Sequence, residues 1–244
     1  MGLFSLQDQR ALVTGANTGI GRAIAEVLAA QGTHVTCAGR SSSANTVATI
    51  AAAGGSADEI RLDFAEPMAA RDVFAGAGYS LLVNNAGIIR RADAVDHTEA
   101  DWDAVIDTNL KAVFFTCQAF GRELIAQARP GAIVNIASLL SFQGGIRVPG
   151  YTASKHGVAG LTKLLANEWA PHGITVNAIA PGYIATNNTE ALRDDPDRSR
   201  QILDRIPMGR WGDAQDIGGT AAFLCSPAAR YVTGAVLNVD GGWL

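Results

Sequence analysis

Near its amino terminus the chain reads Ala11-Leu12-Val13-Thr14-Gly15-Ala16-Asn17-Thr18-Gly19-Ile20-Gly21. A short apolar run, typical of a buried strand, passes into three glycines spaced G-x-x-x-G-x-G, and apolar residues at helical spacing follow. One glycine would suffice for a plain strand-to-helix turn. Three let the backbone approach a pyrophosphate, which binds the amino-terminal end of the next helix. We therefore expect a nucleotide site that includes Gly15, Asn17, Thr18, Gly19, Ile20 and Gly21.

The rest of the chain continues this alternation of strand and helix. Strands are predicted at 11–13, 33–38, 60–62, 81–83, 133–137, 174–180 and 235–239, and helices at 20–30, 102–124, 151–170 and 214–224. Such alternation implies parallel crossovers and a sheet covered by helices on both faces. No linker or repeat divides the chain. We predict one α/β domain, residues 1–244, with a doubly wound parallel sheet of the Rossmann type.

Composition argues against several classes of protein. Hydrophobic residues make up 48% and charged residues 17%, which favours a globular fold. With a net charge of −4 the chain is not expected to attract the phosphate backbone of a nucleic acid, so no nucleic-acid partner is expected. Three dispersed cysteines and four histidines without ligand spacing predict a reduced, cytoplasmic protein without a metal. No apolar stretch approaches the ~20 residues that span a bilayer, so no membrane partner is expected.

Two further segments follow predicted strands and should lie near the glycine motif. Asn84-Asn85-Ala86-Gly87 follows the fourth strand, and ligands of open α/β sheets collect at the carboxyl ends of strands. Asp63 follows the third strand and could accept a hydrogen bond from an adenine amino group, although a lone Asp is more often a helix cap. These positions add Asp63, Phe64, Asn85, Ala86 and Gly87 to the expected nucleotide site.

Tyr151 and Lys155 are four residues apart, which places them on one face of the predicted helix. A tyrosine, with a free pKa of about 10, is a poor acid at neutral pH. A neighbouring ammonium is expected to lower that pKa toward the working pH, where proton transfer is most effective. Ser138 could hydrogen-bond a substrate carbonyl. Taken alone, the Tyr151–Lys155 spacing also fits a solvated helix pair.

The joint pattern resembles the short-chain dehydrogenase/reductase family over essentially the whole chain. It is carried, in order and spacing, by the glycine motif, Asn84 to Gly87, Asn109, Ser138, Tyr151, Lys155 and Pro181-Gly182. The resemblance implies that Tyr151 exchanges a proton with the substrate oxygen, which Ser138 holds. It implies that Lys155 binds the nicotinamide ribose and that Asn109 fixes a water. The nicotinamide would lie against Pro181, Gly182, Ile184 and Thr186. Two departures leave local packing open: Ser80 replaces the family's usual Asp, and the stretch from Asp63 to Asn84 is short for a crossover helix.

The cofactor is expected to be NADP or NAD, with NADP favoured. Family members that use NAD usually end the second strand with an acidic residue, which holds the ribose 2′-hydroxyl. Here Gly39 is followed by Arg40 and Ser41, and a guanidinium suits a 2′-phosphate. Against this, Thr18 stands where many NADP-dependent relatives have a basic residue, and Arg40 could instead stack on adenine.

Five segments of the second half carry a narrower resemblance: residues 138–149, 180–189, 202–207, 209–212 and 240–243. They resemble one branch of the family, the 2-dehydro-3-deoxy-D-gluconate 5-dehydrogenases, also labelled 2-deoxy-D-gluconate 3-dehydrogenases. A sugar acid needs a cation for its carboxylate and polar groups for its hydroxyls. In the expected pocket at about 138–212, Arg147 is the candidate cation, with an ion pair as the alternative, and Arg90 and Arg91 are weaker candidates. Gln143, Asn187 and Asn188 are candidate hydroxyl partners. Alternatives are a 3-oxoacyl-carrier-protein or gluconate ketoreductase and a non-catalytic dinucleotide sensor.

Two larger features concern motion and assembly. Residues 187–208 are polar and proline-flanked, which fits either a mobile cover over the substrate or an ordinary pair of surface helices. The predicted helices at 102–124 and 151–170 carry apolar residues on more than one face, which suggests burial against other subunits. The family resemblance implies a homotetramer.

Overall fold

One parallel sheet organises the chain, of which a computed structural model describes residues 2–244. Its strands are β1 Arg10–Thr14, β2 His34–Gly39, β3 Ser56–Arg61, β4 Leu81–Asn84, β5 Gly131–Ile136, β6 Ile174–Pro181 and β7 Val236–Val239. They lie in the order β3-β2-β1-β4-β5-β6-β7. The order reverses between β1 and β4, and open α/β sheets bind ligands at such a reversal. The predicted doubly wound sheet is confirmed.

Helices cover both faces of this sheet. They are α1 Gly19–Ala30, α2 Ala44–Ala52, α3 Glu99–Ile106, α4 Ala112–Ala126, α5 Pro149–Trp169, α6 Glu190–Arg193, α7 Pro196–Leu203 and α8 Ala214–Cys225. Buried residues of α1 and α8 form an apolar cluster with one face of the sheet, and those of α4 and α5 form a second cluster with the other. Between residues 2 and 244, no helix is both long and apolar enough to cross a bilayer.

Two elements differ from the sequence prediction because their patterns are weak. β3 was expected only at 60–62, yet it pairs with β2 along its whole length, from His34↔Ser56 to Gly39↔Arg61. It is an edge strand, and its partly exposed residues lack the apolar run by which buried strands are recognised. α2 was not predicted, since only Thr46 and Ile50 of its residues are buried.

The two departures from the family pattern are resolved locally. Residues 62–80 form turns without a regular helix, so the expected short crossover is confirmed. Phe74 and Tyr79 fill the space beneath it, with ring centroids 5.6 Å apart and edge to face. Ser80, which replaces the usual Asp, donates a hydrogen bond to Gln9 Oε1 at 2.6 Å. The hydrogen bond between Ser80 and Gln9 therefore takes the place of the contact that an Asp usually makes near the beginning of β4.

Candidate active site

The glycine motif and the Asn84–Gly87 segment lock together at the reversal of strand order. Asn85 Nδ2 donates to the carbonyl oxygens of Thr14 and Gly15 at 3.0 and 3.2 Å. The hydroxyl of Thr14 accepts from the backbone N–H groups of Asn85 and Ala86, both at 2.9 Å. A Cβ at Gly15 would lie 2.8 Å from Asn85 Nδ2, and φ there is +66°, so only glycine fits. The two segments predicted from sequence thus form one rigid cradle.

A dinucleotide fits this cradle. Thr18 precedes α1 as its N-cap, and its side chain makes no capping hydrogen bond. The first turn of α1 contains no acidic residue, so its N–H groups and the positive end of the helix dipole suit a pyrophosphate. A Cβ at Gly19 would lie 3.4 Å from Thr186 Cγ2 and would narrow the cleft between the loop and the Pro181–Thr186 segment.

Asn109 occupies a π-helical turn, Asp107–Lys111, between α3 and α4. The predicted helix at 102–124 is therefore interrupted at this residue, and π turns occur frequently at functional sites. The Asn109 side chain is buried, accepts from Ile88 N at 2.8 Å and donates to Ile88 O at 2.9 Å. Its Nδ2 also lies 3.4 Å from Ser154 Oγ in α5. Asn109 therefore ties the segment after β4 to the helix that carries Tyr151.

Ser138, Tyr151 and Lys155 are brought together at the carboxyl end of β5. Ser138 follows β5, and its Oγ accepts from Leu140 N at 3.2 Å. The same hydroxyl lies close enough to the partly buried phenol of Tyr151 to lower its pKa. Lys155 is buried, and its Nζ donates to Ile136 O at 2.6 Å and lies 5.4 Å from the centroid of the Tyr151 ring. The alternative of a solvated helix pair is wrong, because the Lys155 ammonium faces the protein interior.

The expected effect of Lys155 on Tyr151 is wrong for this arrangement. Burial raises the pKa of the Tyr151 phenol above its ordinary value, and the Ser138 hydrogen bond and the charge of Arg91 offset only part of the increase. Burial likewise lowers the pKa of Lys155 to about 8, since an ammonium loses its hydration there. Sequence spacing indicated that the two groups are neighbours but contained no information on their desolvation.

The remaining nucleotide residues lie around the cradle in different environments. Asp63 is exposed, and its Oδ1 accepts from Ala65 N at 3.0 Å within a turn. No helix follows it, so the alternative expectation of a helix cap is wrong. The side chain of Phe64 is buried in the core, so only its backbone can face a nucleotide. Arg40 and Ser41 are exposed just after β2. Gly182 approaches the chain after β7 so closely that a Cβ would lie 2.6 Å from Asp240 Cα.

The candidate substrate residues differ in how they are paired. Arg147 forms an ion pair with Asp93, Nε to Oδ1 at 3.2 Å, and Arg90 forms one with Asp101 at the same distance. Arg91 pairs with no carboxylate among residues 2–244, and its positive charge acts to lower the pKa of the Tyr151 phenol. The other candidates lie on the pocket loops: Gln143 is partly buried, and Asn187 and Asn188 are exposed.

Residues 187–208 form a 3₁₀ turn, α6 and α7 rather than an irregular loop. Ile202 and Ile206 are buried beneath them, and Arg193 Nη2 donates to Thr186 O at 3.2 Å. This arrangement links the segment to the Pro181–Thr186 loop. That it acts as a mobile cover stays a prediction.

Several residues that build the site were missed from sequence. Ser141 Oγ donates to Lys155 O at 2.7 Å, and Ser154 Oγ donates to Tyr151 O at 2.8 Å, so two buried hydroxyls fix the ends of the Tyr151–Lys155 turn. Ile88 contributes only its backbone. Ser154 lies within the quoted motif and could have been considered there, whereas backbone partners give no signal in a sequence.

The sheet, the glycine cradle and the buried Tyr–Lys pair define a dinucleotide-dependent oxidoreductase. A family model described as Enoyl-(Acyl carrier protein) reductase, of the short-chain dehydrogenase/reductase type, matches residues 15–244. The chain belongs to the short-chain dehydrogenase/reductase family, and the resemblance stated from sequence is confirmed.

Relatives and solved structures match along the whole chain. The 2-dehydro-3-deoxy-D-gluconate 5-dehydrogenase of Bacillus subtilis is 52% identical over 246 residues, 99% of this chain and 96% of that protein. A candidate 2-deoxy-D-gluconate 3-dehydrogenase from Agrobacterium tumefaciens with bound NADP is 65% identical, with a TM-score of 0.99 and coverage of 100% and 99%. A gluconate 5-dehydrogenase from Burkholderia cenocepacia with NADP and tartrate is 39% identical, with a TM-score of 0.93 and coverage of 99% and 97%.

Proposed function

We propose that the chain transfers a hydride between NADP(H) and a keto or hydroxy sugar acid, as a 2-dehydro-3-deoxy-D-gluconate 5-dehydrogenase or 2-deoxy-D-gluconate 3-dehydrogenase does. The observation that carries this proposal is the Tyr151 phenol, which lies beside Ser138 and Lys155 and next to a glycine cradle that fits a dinucleotide. The names of the relatives and the NADP in their structures support it. A carbonyl held at this point would meet a proton donor and a hydride carrier together.

In this mechanism each residue has a distinct task. Ser138 holds the substrate oxygen, and Tyr151 gives that oxygen a proton during reduction or accepts one during oxidation. Bound nicotinamide supplies or accepts the hydride. Lys155 and Asn109 act beside the phenol: the ammonium lies by the Tyr151 ring, and Asn109 holds the Ile88 segment against α5. A tyrosine with a raised pKa stays protonated at neutral pH, which suits its use as an acid in ketone reduction.

Arg91 is the side chain that we assign to the substrate carboxylate. The ion pair with Asp93 occupies Arg147, the candidate favoured from sequence, and that with Asp101 occupies Arg90. Arg91 retains an unpaired charge within electrostatic reach of Tyr151. Tartrate in the Burkholderia structure is itself a hydroxy acid, which supports a pocket of this chemistry. With this assignment the substrate carboxylate lies near the reacting oxygen and is paired with the Arg91 guanidinium. No unpaired anion is then buried in the pocket.

Arg91→Met should reduce kcat/KM for a keto sugar acid by about 100-fold, since a charge-assisted hydrogen bond is worth roughly 2–3 kcal/mol. Turnover of a neutral ketose of the same length should change by less than about threefold. Steady-state kinetics with both substrates measures the difference. Arg147→Met is the matched control, and it should change both substrates little. A larger loss in Arg147→Met than in Arg91→Met would reverse the assignment.

The function itself is tested by a panel of uronate-derived keto acids with NADH and NADPH in parallel. We expect turnover of 2-dehydro-3-deoxy-D-gluconate or a close relative, with NADPH preferred. Binding of NADPH without turnover of any keto acid would favour a dinucleotide sensor instead. Turnover of 3-oxoacyl thioesters alone would favour a carrier-protein ketoreductase.

We infer that the working protein is a cytoplasmic homotetramer of one-domain subunits, each with its substrate pocket at about 138–212. Trp102 and Leu164, on the helices expected at subunit contacts, are 40% and 46% exposed. Large apolar side chains with this much exposed surface are expected to be buried against another subunit. The three cysteines are buried and unpaired, which supports a reducing compartment.

A further inference from the structure

The loop after β2, residues 40–43, is held by two charged residues of the neighbouring edge strand. Arg61 Nη1 donates to Arg40 O at 2.8 Å. Ser42 Oγ donates to both carboxylate oxygens of Glu59 at 3.2 Å, and Ser43 N donates to the same carboxylate. Glu59 and Arg61 are two residues apart in β3, so they lie on one face of the sheet. The loop that carries Arg40 is therefore fixed by an acid and a base together.

The Glu59 carboxylate lies at the amino-terminal end of α2. Ser43 is the N-cap of this helix, but its side chain makes no capping hydrogen bond, and its buried Oγ has no partner among the described atoms. Ser43 is 1% exposed, and α2 has no acidic residue in its first turn. Glu59 thus supplies the negative charge that a helix amino terminus favours. An anion already occupies the donors beside Arg40.

We propose that Glu59 is a specificity-determining residue, which opposes the 2′-phosphate of NADP and limits the preference for NADP over NAD. The proposal rests on the proposed function. β2 ends in Gly39 where NAD-dependent relatives usually have an acid, and here the acid comes from β3 instead. Arg40 attracts a 2′-phosphate, whereas the Glu59 carboxylate, which is hydrogen-bonded to the same loop from β3, repels it. A ribose 2′-hydroxyl carries no charge and is not repelled.

Glu59→Gln separates this charge effect from the positioning of the loop. The glutamine Oε1 still accepts from Ser42 and Ser43, while the negative charge is removed. We expect the Kd of NADP⁺ to fall by about tenfold, because the repulsion between the Glu59 carboxylate and the 2′-phosphate is removed. The Kd of NAD⁺ should change by less than about twofold. Isothermal titration calorimetry with NADP⁺, NAD⁺, 2′-AMP and 5′-AMP measures binding without turnover.

Three variants serve as controls. Glu168→Gln, in an exposed part of α5, changes the net charge equally and should leave both Kd values unchanged. Ser42→Ala removes the hydroxyl contact but keeps the Glu59 charge, so it should not improve NADP⁺ binding. Arg40→Ala should weaken NADP⁺ and 2′-AMP far more than NAD⁺ and 5′-AMP.

Each outcome has one meaning. Tighter binding of only the 2′-phosphorylated ligands to Glu59→Gln supports the proposal. An unchanged ratio, an equal change for both cofactors, or the same gain in Ser42→Ala overturns it, because the carboxylate would then act on loop structure alone. If the native protein binds neither NADP⁺ nor NAD⁺, the proposed function fails rather than the role of Glu59.

Discussion

Tyr151→Phe should lower kcat for reduction of a keto sugar acid by about 10³-fold, within the range that general acid catalysis contributes. The phenylalanine ring fills the same space, so the fold and the cradle are unchanged, but no proton can reach the substrate oxygen. The Kd of NADPH should stay within about twofold of the native value. Single-turnover kinetics and a fluorescence titration with NADPH measure the two quantities separately.

Tyr79→Phe is the matched control for this change. Its hydroxyl is also buried and donates to Thr36 Oγ1 at 3.0 Å, but it lies beneath β2, away from Ser138. We expect a small loss of stability, about 1 kcal/mol, and native kcat. Native-like turnover by Tyr151→Phe would show that another group protonates the substrate, and the proposed mechanism would be wrong.

The sequence predicted those parts of the site that depend on short-range patterns. The glycine spacing between β1 and α1 determines the shape of one short loop. The four-residue separation of Tyr151 and Lys155 places both side chains on one face of a helix. Their meeting across the sheet followed from one rule, that the carboxyl ends of parallel strands share an edge. The structure therefore places Asn85 and Ala86 on the glycine motif, and Ser138 on Tyr151, as expected.

Other features depend on contacts that no local pattern contains. Arg90, Arg91 and Arg147 are chemically equivalent in the sequence, and only the positions of Asp93 and Asp101 leave Arg91 unpaired. The two hydrogen bonds between the Asn109 side chain and the Ile88 backbone depend on a π turn, which has no sequence signature here. β3 was underestimated because an edge strand needs less apolar surface than a central one.

The pKa of Tyr151 shows most clearly what a sequence omits. A Tyr–Lys spacing gives the sign of one interaction, the attraction between an ammonium and a phenolate. Burial opposes ionisation of both groups, and in the folded chain it is the largest influence on each pKa. Desolvation depends on everything packed around the pair, including the segments that bear Ser138 and Ile136, so it becomes visible only in the fold.

Lys155→Met should reduce kcat strongly, by about 10²-fold or more, and should also change how stability depends on pH. Burial lowers the pKa of Lys155 from 10.5 to about 8. Below pH 8 the ammonium is charged in both states, and its desolvation costs the folded state about 3 kcal/mol. As pH rises from 8 to 10.5 the folded state loses this proton first, so the free energy of unfolding increases.

The variant should lack that increase, because it has no group to titrate, and its unfolding free energy at pH 7 should be equal to or above the native value. Loss of the hydrogen bond to Ile136 O offsets part of the gain. Urea denaturation between pH 7 and pH 10.5 measures the effect. Lys163→Met, which removes an exposed ammonium from the same helix, should keep the native pH dependence. If Lys155→Met became more stable with rising pH as the native chain does, the lowered pKa would belong to another group, and the buried ammonium would not be the source of this stability change.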